Sequence, residues 1–398
     1  MLAIMLAVSA SAEWQKESIS AEDPIDKNIS ALKNPNVKIK KDAVIFLGNS
    51  KDSRSVDPLI GVLKDPDAGV RREAVVALGK VGTESENAVN SLIGSMNDSD
   101  VNVRIEATKA LGTIKDPRAI DPLIGALKDG KSDVREWAVL SLVKIGNHSV
   151  DPLISVLKND NDNSAMKWQA AAALGLINDG RAVDPLIASI KDDSSEVRHW
   201  AAVSLGLIND SRALEPLFSA LKDEDAAVRR GTARAIGDLA GDSATDLLAQ
   251  ALTSNDSQLR AGAAFALGEL RASEATPHLI KAIQDEARDV RAETATALGK
   301  MKDPRAVEPL VESFNDGESD IQEEVSQALT AIDANSTVDI MMAALGSEDS
   351  RVRGAASLAL GKIGDARARG ALMQVMGGDA NSEVRLSAAK ALKNLAKQ

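Results

Sequence analysis

The 398-residue protein has no cysteine, no tyrosine and only three histidines, and aromatic residues make up 2% of it. Without cysteine there are no disulfides, no thiolate nucleophile and no Cys-ligated metal, and three scattered histidines make a His-rich metal site unexpected. Long apolar runs are also missing. The longest apolar stretch lies at 1–12, MLAIMLAVSASA, and falls far short of the roughly 20 residues that span a bilayer. It ends in Ala10-Ser11-Ala12 and is read as a signal-peptide remnant, so a secreted, periplasmic or cell-surface location is expected, or a cytoplasmic one if residues 1–12 are not a signal. A positive balance is lacking too: the formal charge is -12, which argues against nucleic acid as a partner, because phosphate neutralisation supplies most non-specific affinity.

What is present is repetition. An apolar residue opens similar segments at Ile39, Val70, Val103, Val134, Met166, Val197, Val228, Leu259, Val290, Ile321, Val352 and Val384, mostly 31 residues apart. Each opens a run with small and apolar residues on one helical face, as at Val70, Ala74, Ala77 and Leu78, and is paired with a preceding run of the kind Asp121-Pro122-Leu123-Ile124. Two helices per unit at this period predict an all-α fold, a right-handed alpha-alpha superhelix of about 12 two-helix repeats. The expected organisation is the remnant at 1–12, a leader and partial first helix at 13–36, and a continuous solenoid at 37–398. Glycines after the recurring Leu, such as Gly175 and Gly299, sit inside the helices and predict close backbone contact. Prolines such as Pro122 make the first helices bend or begin late.

Two rows carry charge. The residue after the opening position is basic at Lys40, Arg71, Arg104, Arg135, Lys167, Arg198, Arg229, Arg260, Arg291, Arg353 and Arg385, and aspartates recur in the following turns at Asp52, Asp116, Asp179, Asp210, Asp303 and Asp365. So regular a set is expected to join neighbouring repeats as a ladder of Arg-to-Asp or Arg-to-carbonyl bonds, with an anion-binding stripe as the alternative. Arg54, Arg118, Arg181, Arg212, Arg305 and Arg367 form a second basic set that shares this work.

The next two positions vary, and there the central repeats carry Glu136-Trp137, Trp168-Gln169 and His199-Trp200, three of the four tryptophans. Aromatic anchors among variable polar groups are typical of protein-binding hot spots, so Trp137, Trp168, Trp200, Glu136, Gln169 and His199 are the candidate partner-binding residues on the concave side. The alternative is that the indoles lie over neighbouring helices as partly buried caps. No catalytic set is expected, since His199 has no nucleophile and orienting carboxylate in a repeated geometry beside it.

Asp116-Pro117-Arg118-Ala119, Asp121-Pro122-Leu123-Ile124, Val134-Arg135 and their equivalents over roughly 37–395 resemble HEAT repeats of the type named after phycobilisome lyases. The resemblance implies a scaffold that binds a protein or peptide, without enzymatic activity or cofactor. Lyase-like or chaperone handling of a chromophore or other prosthetic group, and structural assembly at a cell surface, are the alternatives. A similar di-iron hydroxylase uses His-Glu pairs, and this sequence has no His-Glu dipeptide.

Overall fold

The computed structural model describes residues 23–159, 164–313, 321–332 and 334–396. The expected remnant at 1–12, most of the leader at 13–36 and part of the enlarged turn at 159–164 lie outside them. Every regular element among the described residues is helical, and the protein forms two compact units, Met1–Ser155 and Val156–Gln398.

In the first unit, helix pairs follow one another from Pro24–Ala31 and Val37–Ser50 to the Ser132–Ile145 helix and its successor. The second helix of a pair packs on the second helices before and after it, Ala68–Val81 on Val101–Ile114 and Val101–Ile114 on Ser132–Ile145. The opening residues Val70, Val103 and Val134 are buried, and so are the small residues one turn later, Ala74, Ala107 and Ala138. The same plan runs through the second unit, with Val197, Val228 and Val290 above Ala201, Thr232 and Thr294. Each unit is thus an all-α stack of helix pairs of the solenoid kind, about 10–12 pairs between them.

Local chemistry sets the boundaries. Asp67 stands before the Ala68–Val81 helix, and its carboxylate accepts the Val70 N–H at 2.8 Å. Asp100 and Asp225 cap the Val101–Ile114 and Ala226–Ala240 helices in the same way. At the other end, several second helices stop at a left-handed residue that is not glycine: Lys51, Lys115, Asn178, Asn209, Arg271 and Lys302 all have φ between 52° and 61°. The first helices begin late. Asp116 caps a single 3-10 turn at Pro117–Ala119, and only then does the Ile120–Ala126 helix start, with Pro122 in its first turn, where no helical amide bond is lost.

Glycines such as Gly175 and Gly299 set the spacing of the second helices. A Cβ on Gly175 would lie 2.7 Å from the Ser204 Cα, and one on Gly299 would lie 2.6 Å from the Ala328 Cα. Neither gap admits a methyl group.

Candidate functional site

The basic row lies along the junctions between repeats. Arg71 donates through Nε and Nη2 to the two carboxylate oxygens of Asp98, each at 2.7 Å, and through Nη1 to the Asp65 carbonyl at 2.9 Å. Arg104 does the same with Asp129, at 2.8 and 3.1 Å, and with the Asp98 carbonyl. Arg135 donates to the Asp129 carbonyl. In the second unit Arg198 grips Asp223, Arg260 grips Asp285 and Arg353 grips Asp379, while Arg229, Arg291 and Arg385 reach the carbonyls of Asp223, Asp285 and Asp379. Each of these aspartates also accepts the N–H two residues on, as Asp98 does from Asp100 at 2.8 Å, so one side chain shapes its own turn and anchors the neighbouring repeat. The Arg71 and Arg353 guanidiniums hold the Asp98 and Asp379 carboxyls below the usual range.

The acidic partners expected from the sequence are therefore corrected. Asp52, Asp116, Asp210 and Asp303 do not meet the basic row; each accepts from the arginine two residues later, Arg54, Arg118, Arg212 or Arg305. The Arg305 hydrogen bond lowers the Asp303 carboxyl to about 2. These arginines reach back to the preceding repeat, Arg54 to Asp23, Arg118 to Glu86 and Arg212 to Asp184, and so form a second, more exposed ladder. The residues that sequence reasoning missed are the inter-helix turn aspartates, Asp98, Asp129, Asp223, Asp285 and Asp379. Their signal was a fixed distance of 25 to 27 residues after the basic residue they meet.

The variable row divides between the two units. In the second, the Trp168 and Trp200 rings stack with centroids 5.9 Å apart and planes at 22°. His199 meets Trp200 edge-on at 5.6 Å, and its Nδ1–H donates to the Ala227 carbonyl at 2.8 Å, which pins the ring. Both indoles are half-buried. Seven and eight residues further along the same helices, Leu207 and Leu176 are 45% and 52% exposed, which prolongs the apolar strip along adjacent helices. Gln169 departs from expectation: it is 1% exposed, with its amide turned back to the Ala165 carbonyl of its own helix, so it presents nothing at the surface. In the first unit Trp137 is half-buried, with the Lys109 ammonium 4.4 Å and the Lys144 ammonium 5.9 Å from its ring centre, and Glu136 is exposed beside it. Among the described residues no group of three or more His, Asp or Glu could hold a metal, and no helix is long and apolar enough to cross a membrane.

Repeated helix pairs, with a uniform junction and one variable surface row, define a scaffold of the HEAT type. The family described as HEAT repeats matches residues 25–101, 89–175, 150–237, 183–261, 245–330 and 314–393, and the protein belongs to that family. No curated protein matches the sequence. Among solved structures it is similar to importin beta crystallised in an ammonium sulfate condition, with 14% identity and a TM-score of 0.46 over 94% of this protein and 62% of that one. It is also similar to Kap121p bound to Pho4p, with 12% identity and a TM-score of 0.49 over 97% and 51%. For Kap95p with RanGDP, described in terms of nuclear import complex assembly, the figures are 16%, 0.46, 94% and 62%. The protein thus spans between half and two thirds of these relatives. The secreted, periplasmic or cell-surface location expected from residues 1–12 is corrected: the natural proteins named among these similar structures are an importin and karyopherins.

Proposed function

We propose that this protein is a noncatalytic scaffold that docks a protein or peptide partner on the variable row of its second helices, with Trp168 and Trp200 as the anchor. The stacked, half-exposed indole pair carries this reading, because it brings two large aromatic rings together in a row where most repeats carry polar or small residues. A stacked pair offers a wide, rigid apolar face with little side-chain entropy left to lose, and Leu176 and Leu207 extend that face along both helices. His199 supplies a fixed polar rim. Trp137, with Glu136 beside it and two lysines over its ring, provides a second contact of mixed polarity in the other unit.

The test compares the proteins captured from cells by the native protein, by Trp168→Ala/Trp200→Ala and by Trp137→Ala, with folding of each variant verified by circular dichroism. Partners lost in the double variant and recovered by Trp168→Phe/Trp200→Phe support the anchor. An identical set of captured proteins, bound with unchanged affinity by the folded double variant, refutes it.

A further inference from the structure

Among the described residues, Arg229 of the basic row faces a following repeat whose turn supplies it no carboxylate. Arg71, Arg104, Arg198, Arg260 and Arg353 each place Nε and Nη2 on an aspartate in the turn of the following repeat. For Arg229 the residue 25 positions on is Ser254, and Ser254 meets the neighbouring Arg260 through its carbonyl only. Arg229 keeps its Nη1 bonds to the Asp223 and Glu224 carbonyls, at 2.9 and 3.1 Å, and lies over the Phe265 ring at 5.0 Å, so the guanidinium is held in the orientation of the row. Among the described residues nothing bonds its Nε, and Nη2 has a single long contact of 3.4 Å to Glu293.

This arginine lines a cavity of about 610 Å³, a size usual for ligand sites. At the variable positions that carry Trp and His in the central repeats these repeats have small residues, Ala261, Gly262 and Ala292, and all three line the cavity. Arg288 adds a second guanidinium to the same wall, 3.4 Å from Asp289 and 3.5 Å from Glu324. Glu293 is the native group that competes for Arg229. Burial pushes its carboxyl above the ordinary value, so it holds its charge less firmly than the row aspartates and gives up one long bond when displaced.

We propose that the cavity between the Ala226–Ala240, Ser257–Leu270 and Arg288–Met301 helices binds a carboxylate group of a polypeptide ligand, which takes the bidentate place on Arg229 that Ser254 leaves open. The ligand completes from outside the ion pair that other repeats make internally. Its carboxylate comes either from an Asp or Glu side chain or from the C-terminus of a polypeptide. The site is distinct from the Trp168–Trp200 shelf and shares with that reading only the premise of a polypeptide partner.

Calorimetric titration at low ionic strength with three peptides tests the proposal: amidated hexaglutamate, hexaalanine with a free C-terminus, and amidated hexalysine. Binding of either carboxylate-bearing peptide supports it, and the one that binds identifies the source of the carboxylate. Ser254→Asp restores the internal partner, so it is expected to weaken that binding at least about tenfold while the thermal midpoint holds or rises. Arg229→Gln is expected to weaken it to a similar extent, and Trp168→Ala/Trp200→Ala to leave it unchanged, whatever becomes of the partners proposed for the shelf. The proposal is overturned if neither carboxylate peptide binds, if hexalysine binds in preference, or if a folded Ser254→Asp protein binds as tightly as the native one.

Discussion

Removing Arg104 and Asp129 singly and together measures what the junction row contributes. The pair is bidentate, at 2.8 and 3.1 Å, and its side chains are only 16% and 14% exposed. A hydrogen bond to a charged group is worth about 1.5–3 kcal/mol, whereas exposed ion pairs return about 0.2–1 kcal/mol. The second ladder supplies the control in the same unit: Arg118 and Glu86 approach to 2.9 Å, but they are 42% and 74% exposed. Arg104→Ala is expected to cost about 2–3 kcal/mol, because it also abandons the Asp98 carbonyl. Asp129→Ala loses in addition the turn bond from the Lys131 N–H, a contribution the double-mutant cycle cancels. The coupling energy should be about 1.5–2 kcal/mol for Arg104–Asp129 and about 0.5 kcal/mol or less for Arg118–Glu86. Urea unfolding of the four proteins of each cycle, followed by tryptophan fluorescence, reads both couplings. In 0.5 M salt, at roughly half the Debye length of physiological buffer or less, the exposed pair should fade while the shielded pair keeps most of its coupling. Equal couplings, or a larger one for Arg118–Glu86, would refute the claim that burial in the junction makes this row the stronger of the two.

Three further outcomes follow from the same geometry. The Asp303 carboxyl is lowered from 3.8 to about 2 in the folded protein, so its pairing with Arg305 contributes fully above about pH 4 and is lost as pH falls from about 4 towards 2; an acid titration of stability should show a shallower fall in Asp303→Asn than in the native protein. Gly175→Ala gains about 1 kcal/mol of helix propensity but forces a methyl group to within 2.7 Å of the Ser204 Cα, and overpacking of about 1–3 kcal/mol leaves the variant less stable in denaturant, so a more stable variant would show that the helices part freely. Lys115 ends its helix at φ 61° with its N–H bonded to the Leu111 carbonyl; Lys115→Gly removes the Cβ strain and is expected to raise stability by about 0.5–1 kcal/mol, measured by the urea midpoint at unchanged slope.

The helix pairs and their buried faces were legible because hydrophobic period is itself a record of burial: Val70, Ala74 and Leu78 are spaced as one face, and that face is the core. The junction chemistry was legible only by half. The basic residue is marked by its place one step after the opening position, but its partner depends on how far one repeat is displaced against the next, a quantity that no single repeat contains. Asp52, Asp116, Asp210 and Asp303 are close in sequence to the ends of the same helices, yet the stacking offset brings in Asp98, Asp129, Asp223 and Asp285 instead. Gln169 shows the same limit on a smaller scale, since its place in the variable row does not reveal that its amide folds back on its own helix. Once the offset is known, the sequence becomes readable again at the junction. Ser254 and Ser347 then stand out as departures from a row of aspartates; Gln322 stands 25 residues before Ser347 but Arg229 stands 25 before Ser254, so the consequence falls on Arg229, one repeat away. In a stacked array a functional exception therefore need not lie at the residue that changed. It lies at the neighbour whose partner was withdrawn, which is why a variable row scanned position by position points to Trp168 and Trp200 and passes over the arginine.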